Sequence, residues 1–181
     1  MFKTAFDHGC VLVTGGAKSG KSRFALNMCN ALNRKKIFLA TAQALDREMD
    51  ERIKRHRAER DEEWLTVEEP LNVTETIRAL DKEDTVILLE CVALWISNLF
   101  MKFDKNRDAI EQAFEDLLEQ LSGIRGVVLV VSNEVGMSIV PDNALSRKFR
   151  DDVGSMNQKI ALLAKKVVAC MAGLPLVLKD E

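Results

Sequence analysis

Histidine is nearly missing from this chain of 181 residues: only His8 and His56 are present, which excludes a metal site built from several imidazoles. The four cysteines, Cys10, Cys29, Cys91 and Cys170, are widely spaced and form no Cys-x-x-Cys pair. That spacing argues against structural zinc and for a reducing compartment. No apolar run approaches the roughly 18 residues that a membrane span needs. The first ten residues include Asp7 and His8 and lack the apolar core of a signal peptide, so a cytoplasmic location is expected. Charge of either sign is nearly balanced at a net −2. Bulk attraction to nucleic acid or to an anionic membrane is therefore not implied, and any cationic site must be local. No internal repeat or low-complexity tract breaks the chain, and its length suits one domain, 1–181, with a sizeable core.

What is present is an alternation of strands and helices. Residues 10–14, 36–41, 84–90 and 126–134 are continuous apolar runs rich in β-branched residues, the pattern of strands buried on both faces. Residues 64–69 read as a short extended segment. Helices are expected over 20–33, over 47–63 with Asp46 as N-cap, from Pro70 or Asn72 to Leu80, and over 107–121. In that last segment Ile110, Ala113, Phe114, Leu117, Leu118 and Leu121 follow helical spacing. A long helix starts at Asp142 or Asn143, with Leu145, Phe149, Val153, Met156, Ile160, Leu163 and Val167 as its apolar seam. Two final strands turn near Gly173. The expected fold is α/β: a mostly parallel sheet flanked by helices, of P-loop, RecA-like type, with a short C-terminal β-hairpin. In such sheets ligands bind at the carboxyl ends of the strands. Three polar stretches leave strands there: GGAKSGKS, ATAQ and SNEVG.

Gly15, Gly16, Ala17, Lys18, Ser19, Gly20, Lys21 and Ser22 match G-x-x-x-x-G-K-[ST] without a gap. Glycines let backbone N–H groups close on phosphate oxygens, and the helix that follows contributes partial positive charge. Lys21 reaches the β- and γ-phosphates, and the Ser22 hydroxyl is placed to ligate Mg²⁺. Glu90, ending its strand, is the candidate acid for the metal or its water. These features point to a nucleoside triphosphate without choosing among kinase, ATPase and switch.

The stretch DREMDERIKRHRAERDEEW (46–64) puts Arg52, His56 and Arg60 on one helical face, beside an apolar seam of Leu45, Met49 and Ile53. Lys54, Arg55 and Arg57 add positive charge. Two readings stay open. The helix is a solvated face with pairs such as Glu48–Arg52, or its cations keep His56 uncharged and nucleophilic while guanidinium groups brace a phosphate under attack.

Together these segments resemble the bifunctional adenosylcobinamide kinase/adenosylcobinamide-phosphate guanylyltransferase family. The resemblance runs through LVTGGAKSGKSRFA, FLATAQALDREMDERIKRHRAERDEEW, TVILLECVALWISNL, VSNEVGMSIVP and LSRKFRDDVGSMNQKIA, nearly the whole chain. It implies phosphorylation of the aminopropanol hydroxyl of adenosylcobinamide by ATP or GTP. It also implies transfer of GMP from GTP to the cobinamide phosphate through a GMP–histidine intermediate at His56. Nucleotide contacts carry over to Gly15 through Ser22, to Leu39, Ala40 and Thr41, to Arg57, Ala58, Glu59 and Arg60, and to Glu68 and Glu90. Mg²⁺ would sit with Ser22 and Glu90. The implied partners are adenosylcobinamide and its phosphate, and copies of the chain itself in a homo-oligomer, with a trimer favoured.

One departure is visible. Ser138 stands where the family pattern NEVG-x-G-I-V-P has glycine, and strain is expected if that position needs positive φ. Arg147, Arg150, Asp151, Gly154, Asn157 and Gln158 read as a helix face away from the seam, either plain surface or a groove or subunit face. Val92, Leu94, Trp95, Ile96, Leu99 and Phe100 read as core or as a lining for the bulky corrinoid. The alternatives in function are a plain P-loop small-molecule kinase with a structural His56, and a non-catalytic nucleotide switch.

Overall fold

The computed structural model describes residues 7–58, 60–104 and 106–181. Among the described residues seven strands form one sheet: β1 (Gly9–Gly15), β2 (Lys35–Ala40), β3 (Trp64–Glu68), β4 (Thr85–Glu90), β5 (Val127–Val131), β6 (Lys166–Met171) and β7 (Leu174–Asp180). Their order is β3-β2-β4-β5-β1-β6-β7. Every neighbouring pair is parallel except β6 with β7. Helices are α1 (Lys21–Asn30), α2 (Arg47–Ala58), α3 (Val73–Leu80), α4 (Val92–Phe103), α5 (Arg107–Ser122) and α6 (Ala144–Leu163).

The strands expected from their apolar runs are all present, and two of them, β1 and β5, are buried from end to end. Each Val, Ile or Leu taken fully out of water there stabilises the fold by about 1.5–3 kcal/mol. Helix α1 packs across β1, β4 and β5, while α5 and α6 pack on β1 and on each other. Strand register sets one transverse row: Glu68 on β3 faces Ala40 on β2, Ala40 faces Glu90 on β4, Glu90 faces Val131 on β5, and Val131 faces Val13 on β1. The loops after β1, β2, β4 and β5 therefore leave from one edge.

Several expectations need correction. Helix α2 stops by Ala58, not at 63, because the chain must turn to enter β3 at Trp64. The apolar stretch after Glu90 is helix α4, and Trp95, Ile96 and Leu99 bury in the core. The Trp95 indole N–H donates to the carbonyl of Leu71 at 2.9 Å. That burial favours core over corrinoid lining for most of the segment. The α6 seam is narrower than its spacing suggested. Val153, Met156 and Ile160 are buried, but Leu145 is 68% exposed and Val167 belongs to β6. Asn157, expected on the outer face, is buried. The C-terminal hairpin is present as expected, and it extends the main sheet, since β6 pairs with β1.

Candidate active site

The loop after β1 is shaped by close approach. A side chain on Gly15, whose φ is +153°, would come within 2.5 Å of the Cys170 carbonyl and 2.6 Å of Ser19 Oγ. Gly20 takes a left-handed conformation at φ +92° and starts α1 with no side-chain cap, so the first-turn N–H groups of α1 are left for a ligand. The hairpin turn braces the loop from the side, with Gly173 N–H donating to the Ser19 carbonyl at 3.0 Å. Lys21 is 6% exposed, and its ammonium donates to the Gly16 carbonyl at 3.1 Å. The lysine thus lies folded along the loop that phosphate would occupy.

Ser22 Oγ donates to Glu90 Oε1 at 2.5 Å. A hydroxyl facing a carboxylate beside a phosphate loop is the oxygen donor set that Mg²⁺ takes. Among the described residues no cluster of three or more His, Cys, Asp or Glu could hold a metal by itself. These donors fit a cation that shares its coordination with substrate phosphates and water.

Helix α2 forms the opposite wall. Asp46 caps it as expected, accepting from the Met49 N–H at 2.7 Å. Met49 and Ile53, one turn apart, line the cleft together with His56. Past the helix, Arg60 donates to the His56 carbonyl at 2.8 Å and lays its guanidinium 3.7 Å from the centre of the Phe38 ring. Arg57 pairs with Glu68 at the end of β3. The result is one cleft lined by residues of α1, β2, α2, β3 and β4, by Leu94 of α4 and by Asn133.

Of the residues named from sequence, Lys21, Ala40, His56, Arg57, Arg60, Glu68 and Glu90 come together on this cleft. Ser22 joins through its bond to Glu90. Leu39 and Thr41 do not line it. Both are fully buried, and the Thr41 hydroxyl is spent on the backbone, accepting from Cys91 N–H at 2.9 Å and lying 3.1 Å and 3.0 Å from the carbonyls of Glu90 and Cys91. Ala58 is exposed and outside the cleft. Glu59 lies outside the described residues, and so does the Arg52 side chain that the expected Glu48–Arg52 pair needs. Elsewhere α2 shows the surface pairs of the solvated reading, Lys54–Asp50 at 2.7 Å and Arg47–Glu51 at 3.1 Å. One helix thus carries both a solvated face and a cleft face.

Sequence reasoning missed Phe38, Ala42, Thr66, Cys91 and Asn133 as lining residues. The SNEVG stretch flagged the neighbourhood of Asn133, but no periodicity singles out that side chain. Burial, and secondarily Glu90, push the Cys91 thiol up to about 11. The loop after β5 is tied to the loop after β1. Glu134 N–H donates to the Gly15 carbonyl at 3.1 Å, and Glu134 Oε1 accepts from the Thr14 hydroxyl at 2.6 Å and from Asn157 Nδ2 at 3.1 Å. Ser138 has φ −121° and ψ 174°, extended backbone that serine adopts freely, so the strain expected there is absent.

A mostly parallel sheet, a lysine-bearing phosphate loop and an acid two strands away define a P-loop nucleotide-binding protein of RecA-like architecture. Solved structures agree on the fold. A type III secretion ATPase matches with TM-score 0.58 at 12% identity, over 89% of this chain and 50% of that one. A RadB recombinase matches with TM-score 0.52 at 12% identity, over 89% and 73%. A KaiC-like protein of Pyrococcus horikoshii OT3 matches with TM-score 0.51 at 14% identity, over 89% and 70%.

Sequence comparison is narrower. The family model described as cobinamide kinase / cobinamide phosphate guanyltransferase matches residues 11–178. The bifunctional adenosylcobalamin biosynthesis protein CobP of Pseudomonas aeruginosa is 41% identical over 170 residues, 94% of this chain and 97% of the relative. The bifunctional adenosylcobalamin biosynthesis protein CobU of Escherichia coli is 38% identical over 180 residues, 93% and 99%. The chain belongs to the cobinamide kinase / cobinamide phosphate guanyltransferase family and is an enzyme of that double type. Its fold and family make a nucleoside triphosphate its substrate.

Proposed function

We propose that this cleft carries out two successive transfers of cobalamin biosynthesis: phosphorylation of adenosylcobinamide by ATP or GTP, then transfer of GMP from GTP to the phosphate so formed, giving adenosylcobinamide-GDP. The observation that supports this most directly is that Lys21 of the phosphate loop and His56 of α2 line one cleft. A plain kinase has no use for an imidazole facing its phosphate lysine among guanidinium groups.

In the first transfer, N–H groups of Gly15 through Ser22 hold the polyphosphate, and Lys21 exchanges the Gly16 carbonyl for phosphate oxygens. Ser22 and Glu90 would hold Mg²⁺, which when bound neutralises charge on the phosphates. The cobinamide alcohol attacks the terminal phosphorus, and the nucleoside diphosphate leaves.

In the second transfer a ring nitrogen of His56 attacks the α-phosphorus of GTP. An N–P bond forms, the α–β bridging P–O bond breaks, and pyrophosphate leaves with the electron pair. Arg60, held over Phe38, and Arg57, held by Glu68, are placed to stabilise the charge that develops. A phosphate oxygen of cobinamide phosphate then attacks the bound phosphorus, the N–P bond breaks, and His56 is restored.

The same reading includes a homo-oligomer in the cytoplasm. Exposed Met137, Ile139 and Val140 after β5, and Leu174, Leu176 and Leu178 on β7, support self-association. The four cysteines, free and buried, suit a reducing compartment. The deciding experiment is a mass spectrum of the intact protein after exposure to GTP. A mass increase of one GMP on His56 is expected, and an unmodified protein that still phosphorylates adenosylcobinamide would overturn the two-step reading. Light scattering that returns the monomer mass would remove the oligomer from it.

A further inference from the structure

Asn133 lines the cleft with Lys21 and Glu90, and its Oδ1 is buried with no hydrogen-bond partner among the described residues. Among the described residues its Nδ2 has the Cys91 sulfur at 4.0 Å, a weak contact. A buried carboxamide oxygen without a donor is a standing cost to a fold, and native proteins seldom keep one without use.

The backbone around it is pinned. Ser132 N–H donates to the Val13 carbonyl at 3.0 Å, the Asn133 carbonyl accepts from Asn157 Nδ2 at 3.1 Å, and Glu134 N–H bonds the Gly15 carbonyl. Strand β5 lies between β1 and β4, with Val131 in register with both Val13 and Glu90. Two residues further on, Asn133 therefore leaves β5 between the strands that carry the phosphate loop and Glu90, and shares the cleft with Lys21 and the Glu90 side chain.

We propose that Asn133 orients the acceptor alcohol for phosphoryl transfer, an inference that rests on the kinase reading given above. The polarity selects the partner. A triphosphate at neutral pH presents acceptors only, and Lys21 and the loop N–H groups already serve it. A carboxamide oxygen facing the same point needs a donor; the attacking hydroxyl brings one in the kinase step alone, whereas water on a cation held by Ser22 and Glu90 would bring one in both half-reactions, a difference that the two rates below separate. Asn133 Oδ1 takes the O–H hydrogen bond and turns an oxygen lone pair toward the phosphorus. The O–P bond forms as the β–γ bridging P–O bond breaks, and the nucleoside diphosphate departs with the electron pair. The alcohol proton passes to an oxygen of the transferred phosphoryl group and then to solvent. The carboxamide is too weak a base to hold it. Guanylylation of His56 involves no alcohol, so the two half-reactions depend on Asn133 unequally.

The test compares wild type with Asn133→Ala and Asn133→Asp. Two rates are read: formation of adenosylcobinamide phosphate from ATP, and formation of the GMP adduct from α-labelled GTP with no cobinamide present. For Asn133→Ala, kcat for phosphorylation is expected to fall about 10–100-fold from lost orientation, with the KM for ATP within about twofold and adduct formation at least tenfold less affected. Asn133→Asp keeps an acceptor of the same size and is expected to retain more kinase turnover than alanine. Asn133→Ser supplies the comparison if the alanine variant fails to fold. Equal loss of both half-reactions, undiminished kinase turnover in Asn133→Ala, or an aspartate variant worse than alanine overturns the inference. A wild-type enzyme that makes no adenosylcobinamide phosphate overturns the kinase reading itself and takes this inference with it.

Discussion

Ser22 and Glu90, 68 positions apart in the chain, meet hydroxyl to carboxylate at 2.5 Å. Ser22 stands on the first turn of α1 and Glu90 at the end of β4, with β5 between β4 and β1 in the sheet. The contact closes the phosphate end of the cleft with two oxygen donors. Glu90→Gln keeps a hydrogen-bond acceptor and removes the charge. The Mg²⁺ concentration for half-maximal turnover should rise about tenfold or more, while nucleotide affinity measured in EDTA should not fall. An unchanged Mg²⁺ dependence would place the cation elsewhere.

His56→Ala should abolish the acid-labile GMP adduct, because no other histidine lines the cleft. Phosphorylation of adenosylcobinamide should survive in part. Label from α-labelled GTP persisting on the variant would rule out His56 as nucleophile.

Lys21→Ala should weaken triphosphate binding at least about tenfold, the value of one charge-assisted contact, and impair both half-reactions. Titration calorimetry with GTP reads the first effect. Wild-type affinity in that titration would show that the polyphosphate lies away from the loop.

Gly15→Ala should destabilise the fold, since its new Cβ would lie 2.5 Å from the Cys170 carbonyl, a backbone atom on a paired strand that cannot swing aside. Overpacking of this kind costs about 1–3 kcal/mol. Urea unfolding at constant slope measures it, and a midpoint equal to wild type would contradict the tight approach of loop and strand.

Burial pushes the thiols of Cys10 to about 12 and of Cys91 to about 11, from an ordinary value of 9.0, and also raises Cys29. Between pH 9 and those values the unfolded chain loses thiol protons that the native protein keeps. The unfolded state binds fewer protons there, so stability falls as pH rises through that window and is full below it. Urea midpoints from pH 7 to 11 should show a decline beginning near pH 9. Native protein should resist thiol reagents at pH 8 and react at all four cysteines once unfolded. Rapid modification of Cys91 in the native state would mean that its side of the cleft opens.

Local chemistry in the sequence determined the strands, the phosphate loop, the cap at Asp46, the start of α6 at Asp142 or Asn143, of which the structure uses Asn143, and the order of strands and helices apart from α4. Each of these depends on residues within a few positions of one another, where β-branched runs, glycine spacing and polar caps act directly. The family motifs also singled out Lys21, His56 and Glu90. Tertiary structure alone decided what meets what. Insertion of β5 between β1 and β4 brought Asn133 to the cleft that Lys21 and Glu90 line, and the end of α2 brought Arg60 over Phe38. It also turned the apolar run after Glu90 into buried helix α4 and took Leu39 and Thr41 out of the cleft. Such outcomes follow from pairing and packing between residues tens of positions apart. Neither residue of such a pair carries a mark of its partner, because the contact exists only after the sheet has ordered its strands.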